Sequence, residues 1–320
     1  SSHALEQDRV FGTAFDIALF TNLTQDHLDF HITMEEYFRA KIRLFQDLKP
    51  KGTFKIRGVI NLDDIWGRQI IGEMKFPYLS YSLSDKGDIT ARDYLLGPDG
   101  ASFTAVTPVG NFGIKSRLAG RHNIQDILAS IGVAVALECP VKAIQDGIAN
   151  VENVPGRLEK VSEGQDFDIF VDYAHTEDAL RNLLSAAKEI SRGKIITVFG
   201  CGGERDRGKR PKMGKVASDM SDIMIITSDN PRGEDPLVII EEIETGISGL
   251  KRGTDYFVVE DRRSAIEMAV DLAMPGDTVI LAGKGHEDHQ IIGGKRLHFD
   301  DREVAREAIR ERPSRQRGKS

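Results

Sequence analysis

A lysine among the apolar residues of a predicted helix is the first feature of the sequence that indicates chemistry. Thr33 followed by Glu36 forms a capping box, which predicts that a helix begins at Met34. With a rotation of about 100° per residue, the apolar side chains share one face of this helix and most charged side chains lie opposite. Lys41 is the exception, because it projects near the middle of the apolar face.

Two interpretations of Lys41 are open from the residues alone. The stem of a lysine can pack against apolar neighbours while its ammonium group reaches water. Alternatively, burial lowers the pKa of a lysine toward the neutral amine, which can capture carbon dioxide and become a carbamate. A carbamate is a carboxylate on a long arm, and it can hold a hard cation such as Mg²⁺.

Polar, glycine-rich segments follow the strands predicted in the second half of the chain. From Phe167 onward strands alternate with helices, which predicts a doubly wound, mostly parallel α/β sheet. Ligands of such folds bind beyond the carboxyl ends of the strands. We therefore expect a binding site where four segments gather at one edge of this sheet: 172–175, 200–206, 228–232 and 283–287.

The remaining sequence predicts a first domain of mixed character. An apolar run at 15–20 predicts a strand, 78–118 predicts short strands and turns, and 122–138 has the apolar spacing of a helix. Asp63 and Asp64 have the position of a helix cap, with a ligand role left open. Because a Pro-Gly pair within 151–158 indicates a linker, we divide the chain into domains 1–154 and 155–320.

Composition limits the classes of function. A chain of 320 residues with 40% hydrophobic residues is long enough for two globular domains, and a net charge of −7 argues against general nucleic-acid binding. The two cysteines have no metal-type spacing, which suits a reducing cytoplasm. No apolar run predicts a membrane span and no signal peptide is recognisable. We expect a cytoplasmic monomer.

The segment Asp-His-Leu-Asp-Phe-His at 26–31, followed by Lys41 within Ala-Lys-x-x-Leu-Phe, resembles the central-domain signature of the Mur ligases. The resemblance is strongest to the members that add the third residue to UDP-N-acetylmuramoyl-L-alanyl-D-glutamate. It implies a partial central ATPase domain followed by a Rossmann-like carboxy-terminal domain. It also implies that Lys41 is carbamylated and that His27 and Lys41 are the catalytic residues and the ligands of Mg²⁺.

The same resemblance assigns further contacts. Ser1 and Arg9 match positions that hold the UDP-muramoyl dipeptide. Asn123, Arg157 and Asp172 match nucleotide contacts, Asn123 facing adenine. The family usually has a second asparagine where this chain has Asp126, so its adenine contact differs from the pattern.

The added amino acid is expected to be meso-diaminopimelate, because 229–232 reads Asp-Asn-Pro-Arg, the tetrapeptide that accompanies this substrate in the family. Diaminopimelate carries a distal carboxylate that lysine lacks, and the guanidinium of Arg232 can bind it in a bidentate manner. With lysine bound, Arg232 would face an ammonium group without a partner. The resemblance adds further contacts to diaminopimelate: Arg205, Asp229, Asn230, Gly283 and Glu287.

The implied reaction is phosphorylation of the D-glutamyl carboxylate by ATP and attack of the diaminopimelate amine on the acyl phosphate. We find no Gly-x-x-x-x-Gly-Lys-Ser/Thr phosphate loop, so we expect an amino-terminally truncated ligase that does not turn over ATP alone. Two alternatives stay open. One is a lysine-adding ligase of the same family, and the other is a ligand-binding remnant without catalysis.

Overall fold

The computed structural model describes residues 1–24, 27–46, 53–84 and 86–317 of the chain. These form two compact units. Unit 1 comprises 1–95, 101–116 and 121–151, and unit 2 comprises 96–100, 117–120 and the chain from 152 onward. Asp26 of the sequence motif lies outside the described residues. No helix within the described ranges is long and apolar enough to cross a membrane.

The first sheet has six strands in the order β1 to β6, and its first four strands pair in parallel. The last two strands form an antiparallel pair. The strands are β1 Ala18–Phe20, β2 Gly58–Asn61, β3 Tyr78–Ser82, β4 Ile89–Gly97, β5 Gly100–Thr107 and β6 Gly110–Ser116. The accompanying helices are α1 Ser2–Glu6, α2 Leu28–His31, α3 Met34–Gln46, α4 Ile65–Glu73, α5 Arg121–Ala136 and α6 Val141–Ala149.

Helix α3 packs its apolar face into a core that includes Phe20, Ile60 and Ile70. Its predicted start at Met34 is confirmed, and the backbone N–H of Glu36 donates to the Thr33 hydroxyl at 3.2 Å. Lys41 is half-buried. The apolar spacing of the helix therefore predicted its packing correctly.

The aspartates before α4 have two different roles. Asp64 is the expected helix cap, since its carboxylate accepts from the N–H groups of Trp66 at 2.8 Å and Gly67 at 3.2 Å. Asp63 instead accepts from the Ser82 hydroxyl at 2.6 Å and the Leu83 N–H at 2.8 Å. Asp63 thus ties the end of β3 to the turn after β2.

The second sheet has the strand order β11-β10-β9-β12-β8-β7. All its neighbours pair in parallel except β7, which is antiparallel to β8. Its strands are β7 Glu159–Val161, β8 Asp168–Asp172, β9 Ile195–Phe199, β10 Ile223–Ile226, β11 Tyr256–Val258 and β12 Thr278–Ala282. A separate hairpin consists of β13 His289–Ile292 and β14 Lys295–His298.

Helices cover both faces of the second sheet. One apolar cluster joins the sheet to α7 Glu177–Ile190, α8 Lys209–Met220 and α9 Pro236–Glu244, and the other joins it to α10 Arg262–Leu272 and α11 Asp301–Arg317. Within β9, Phe199 faces the first cluster while Val198 faces the second. Burial on both faces explains why these strands are apolar without alternation. The predicted doubly wound class is confirmed, whereas the boundary near Val154 stays a prediction.

Candidate functional site

The loops that follow β8, β9, β10 and β12 leave one edge of the second sheet, because these strands are mutually parallel and in register. Each loop begins where an apolar strand ends and glycine or polar residues begin. The structure therefore places all six residues predicted to contact diaminopimelate at this edge. They are Arg205, Asp229, Asn230, Arg232, Gly283 and Glu287.

Asn230 and Glu287 are in direct contact although 57 positions separate them. The Asn230 Nδ2 donates to Glu287 Oε2 at 2.8 Å. Asn230 is buried and Glu287 is half-buried. Burial disfavours the charged form of Glu287, but the hydrogen bond from Asn230 and the charge of Lys284 outweigh it, so the pKa of Glu287 lies below its usual value. Glu287 therefore presents a carboxylate suited to an ammonium group.

Arg232 is held by the backbone of its neighbours. Its Nη1 donates to the carbonyl of Gly203 at 2.6 Å, and its φ of 54° is left-handed. Its N–H donates to the Ile291 carbonyl at 2.9 Å, which joins the loop to the β13–β14 hairpin. These contacts hold both the guanidinium group and the backbone of Arg232.

Gly202 lies beside the side chains of Arg232 and Arg205, the two arginines predicted to contact diaminopimelate. A Cβ at Gly202 would lie 2.9 Å from Arg232 Nη1 and 3.8 Å from Arg205 Cγ, so both side chains pass this glycine. Gly283 has a φ of +116°, and a Cβ there would lie 2.7 Å from Asp229 Oδ2. The glycines thus let charged side chains approach one another where any larger residue would intrude.

Three buried charged residues that support this edge were not given roles from the sequence. Arg210 and Arg262 have fully buried side chains, and so does Lys284. Arg210 donates to Glu234 and Glu242 and, at 3.3 Å, to the carbonyl of Gly202. In the sequence Arg210 lies in the run Lys-Arg-Pro at 209–211, which does not show that it is buried.

Arg262 and Asp301 form a bidentate ion pair in which both side chains are fully buried. Nε donates to Oδ1 at 2.8 Å and Nη2 to Oδ2 at 2.6 Å. Nη2 also donates to the carbonyl of Ala282 at 3.0 Å. The pair therefore secures the end of β12 immediately before Gly283.

Two of the three predicted nucleotide contacts lie together in unit 2. Asp172 ends β8, and its carboxylate accepts from the N–H of Leu158 at 2.7 Å, next to Arg157. The Arg157 guanidinium lies 5.8 Å from the ring centre of Tyr173. The Tyr173 ring in turn lies 5.3 Å from that of His286, so this group adjoins the loop after β12. Asn123 is buried on α5 in unit 1.

The predicted metal ligands lie in unit 1 and share an aromatic neighbour. The Lys41 Nζ lies 5.1 Å from the ring centre of Tyr37, and the His27 ring centre lies 5.9 Å from it. His27 is half-buried with a φ of 54°. No three His, Cys, Asp or Glu side chains of the described residues form a metal-binding group. One imidazole and one lysine, which carbamylation would turn into a carboxylate, would suit a cation that completes its shell with phosphate oxygens and water.

His31 of α2 stacks on the same ring, and His3 of α1 packs against the rings of His27 and His31. His31 is buried, stacks on Tyr37 with ring centres 5.0 Å apart, and hydrogen-bonds to the Ser2 hydroxyl at 2.9 Å. Burial and neighbouring His3 lower the pKa of His31. Ser1 caps α1, since its hydroxyl accepts from the Ala4 N–H at 3.2 Å, and Arg9 is exposed beyond this helix. The predicted dipeptide contacts thus lie on the segment that packs against the Lys41 helix.

Two family models match the chain. Residues 1–134 match the Mur ligase middle domain, and residues 156–285 match the Mur ligase glutamate ligase domain. The UDP-N-acetylmuramoyl-L-alanyl-D-glutamate–2,6-diaminopimelate ligase of Geobacter metallireducens is 49% identical over 99% of this chain. The chain spans 65% of the length of that relative.

Solved structures agree as well. A structure of UDP-N-acetylmuramoyl-L-alanyl-D-glutamate–2,6-diaminopimelate ligase matches with a TM-score of 0.70 at 38% identity, covering 98% of this chain and 64% of that one. MurF ligase from Thermotoga maritima in complex with ADP matches with a TM-score of 0.67 over 95% of this chain and 64% of that one. Because the two sequences are 18% identical, this match shows a shared fold alone. With both of its domains matched, the chain belongs to the Mur ligase family.

Proposed function

We propose that this chain serves the ATP-dependent ligation of meso-diaminopimelate to the D-glutamate side-chain carboxylate of UDP-N-acetylmuramoyl-L-alanyl-D-glutamate. The reaction belongs to cytoplasmic synthesis of peptidoglycan precursors. Support comes from the relative of that name and from the charged residues at the edge of the second sheet. The ADP-bound MurF structure supports ATP as the nucleotide.

The observation that carries the proposal is the joint placement of Arg232, Arg205 and the Asn230–Glu287 pair. Diaminopimelate has an amino and a carboxylate group at each end. Glu287 suits an ammonium group, and the two guanidinium groups suit a carboxylate through paired hydrogen bonds. A ligand with an ammonium group but no distal carboxylate would leave a guanidinium unmatched, which lowers its affinity.

In the proposed reaction, an oxygen of the D-glutamyl carboxylate attacks the γ-phosphorus of ATP and ADP leaves. The neutral amine of diaminopimelate then attacks the acyl carbon, the C–O bond to phosphate breaks, and the nitrogen loses a proton. Arg157 and Asp172 would contact the nucleotide and Asn123 its adenine. Ser1 and Arg9 would contact the muramoyl dipeptide.

His27 and the carbamate of Lys41 would hold Mg²⁺, which spreads the developing charge of the phosphoryl oxygens when bound. Their shared contact with Tyr37 supports this assignment, because it keeps both side chains on one side of α3. Carbamylation would convert Lys41 from a cation that repels Mg²⁺ into an anion that attracts it.

Ligand-detected NMR titrations of the 320-residue chain with meso-diaminopimelate and L-lysine test the proposal, since they measure millimolar affinities. We expect meso-diaminopimelate to bind about 100-fold more tightly, as a charged group left unmatched weakens binding by several kcal/mol. Equal affinities would remove the role of Arg232 and favour a lysine-adding ligase. Failure of both amino acids to bind would contradict the assignment of this edge.

A further inference from the structure

Lys284 is a cation with no exposed surface, located two residues beyond the end of β12. Burying an ammonium group is unfavourable unless partners replace its water. Its Nζ donates to the His289 carbonyl at 2.5 Å, to Glu287 Oε2 at 3.2 Å and to Asn230 Oδ1 at 3.4 Å. Two of these partners are residues assigned above to diaminopimelate.

Lys284 and the Ile291 N–H together orient the side-chain amide of Asn230. The Asn230 Oδ1 accepts from Lys284 Nζ and, at 2.9 Å, from the Ile291 N–H. Two donors on one atom of the amide require that atom to be the oxygen. The amide nitrogen therefore points to Glu287 Oε2.

Lys284 also fixes the carboxylate of Glu287. The hydrogen bonds from Asn230 and Lys284 both reach Oε2, so the carboxylate is held from two directions. The ammonium charge offsets that of the carboxylate at close range. Without this offset, the excess negative charge would favour L-lysine, which carries a net positive charge, over meso-diaminopimelate, whose second carboxylate it would repel.

We propose that Lys284 is a positioning residue that orients Asn230 and Glu287 and thereby sharpens the choice of a diamino diacid over a diamino monoacid. This inference rests on the proposed function. It assigns Lys284 no contact with the substrate. Its effect is expected in the selectivity between the two ligands as well as in affinity.

The variant Lys284→Met removes the charge and keeps the approximate length of the side chain. In NMR titrations we expect its affinity for meso-diaminopimelate to fall about tenfold, the typical effect of losing a charged hydrogen bond. The affinity for meso-diaminopimelate relative to that for L-lysine should also decrease. Lys215→Met is the matched control, since Lys215 is 65% exposed and pairs with Asp219 on α8. Lys284→Gln, which keeps a donor for the His289 carbonyl, replaces the Met variant if that does not fold.

A double-mutant cycle separates positioning from general loss of structure. If Lys284 acts through Glu287, adding Lys284→Met to Glu287→Gln should weaken binding little beyond the single Glu287→Gln change. Independent, additive losses would overturn the proposal, as would equal weakening of both amino acids by Lys284→Met.

A crystal structure of the Lys284→Gln chain supplies a readout that needs no ligand. We expect the side chain of Asn230 or Glu287 to be oriented differently from that in the unmodified chain. Unchanged orientations of both side chains would overturn the positioning role of Lys284. If the unmodified chain binds neither amino acid, the proposed function fails. The crystal structure then still decides whether Lys284 positions its neighbours.

Discussion

The guanidinium of Arg210 donates to both carboxylate oxygens of Glu234, with each nitrogen 3.0 Å from its oxygen. Arg210 lies on α8 after the loop that carries Arg205, and Glu234 follows Arg232. The Glu234 carboxylate also accepts a hydrogen bond from the Glu204 N–H. One ion pair therefore joins the two loops that bear the proposed carboxylate-binding arginines.

Replacing Arg210 with Met should destabilise unit 2. Its side chain is fully buried, and the change leaves Glu234 and Glu242 without their shared cation. We expect a loss of about 3 kcal/mol in the free energy of unfolding, measured by urea denaturation. Arg207→Met is the matched control, because the side chain of Arg207 is 61% exposed and also pairs with Glu242. Arg207→Met should lower the free energy of unfolding much less than Arg210→Met, and equal losses for both variants would contradict the buried role of Arg210.

Glu234 should make stability depend on pH in the acidic range. The hydrogen bonds from Arg210 and from the Glu204 N–H hold the pKa of Glu234 at about 2, below its ordinary value of 4.5. A carboxyl with a lowered pKa in the folded state stabilises the protein above its unfolded pKa. That contribution declines as pH falls from about 4.5 toward about 2.

The variant Glu234→Gln lacks this contribution, so the gap in stability between it and the unmodified chain should narrow on acidification. Denaturation at a series of pH values measures the gap. The exposed Glu241→Gln serves as control. A gap that stays constant with pH would show that the ion pair does not lower the pKa of Glu234.

The Arg262–Asp301 pair predicts strong coupling between two fully buried charges. Arg262→Met should destabilise the chain by about 3 to 5 kcal/mol, because Asp301 would be left as a buried charge without its cation. The double variant Arg262→Met with Asp301→Leu should recover much of that loss, since no buried charge is left. Urea denaturation of both single variants and the double variant measures the coupling. Additive losses would show that the two charges do not depend on each other.

The proposed carbamylation of Lys41 predicts an NMR signal from added carbon dioxide. After equilibration with ¹³C-bicarbonate, the chain should show a carbamate carbon in its NMR spectrum, and Lys41→Arg should abolish it because a guanidinium does not carry this group. Acidification should also remove the signal, as protonated carbamates release carbon dioxide. Lys215→Arg, on the exposed side of α8, should leave the signal unchanged. Persistence of the signal in Lys41→Arg would assign it to another amine.

Elements with strong local patterns could be predicted from the sequence. The capping box at Thr33 placed the start of α3, and the predicted alternation of strands and helices from Phe167 onward is observed. Strand β1 was predicted over 15–20 but spans Ala18–Phe20, because its apolar run continues beyond the residues that pair with β2. The apolar character of a segment does not by itself show where its hydrogen bonding to the neighbouring strand ends.

The β13–β14 hairpin was not predicted although a signal existed. Gly293 and Gly294, both with positive φ, separate two short strands, and a Gly-Gly pair is typical of a two-residue hairpin turn. This hairpin matters because its strand β13 contacts Arg232 and Asn230 through the backbone of Ile291.

The supporting charges could not be predicted, because their roles depend on distant partners. Arg210 and Glu234 are 24 positions apart, and Lys284 and Asn230 are 54 positions apart. In the sequence each is an ordinary polar residue that most often lies at the surface. Only the folded sheet edge shows that Arg210 and Lys284 are buried and orient the residues that the motifs identified.

The role of Arg232 in selecting an amino acid with a distal carboxylate is tested most directly by one ratio. NMR titrations of the chain and of Arg232→Met give the affinity for meso-diaminopimelate relative to L-lysine in each. We predict that the ratio of about 100 falls toward about 1 in the variant, mainly through weaker binding of meso-diaminopimelate. A ratio that is unchanged by Arg232→Met would contradict the account.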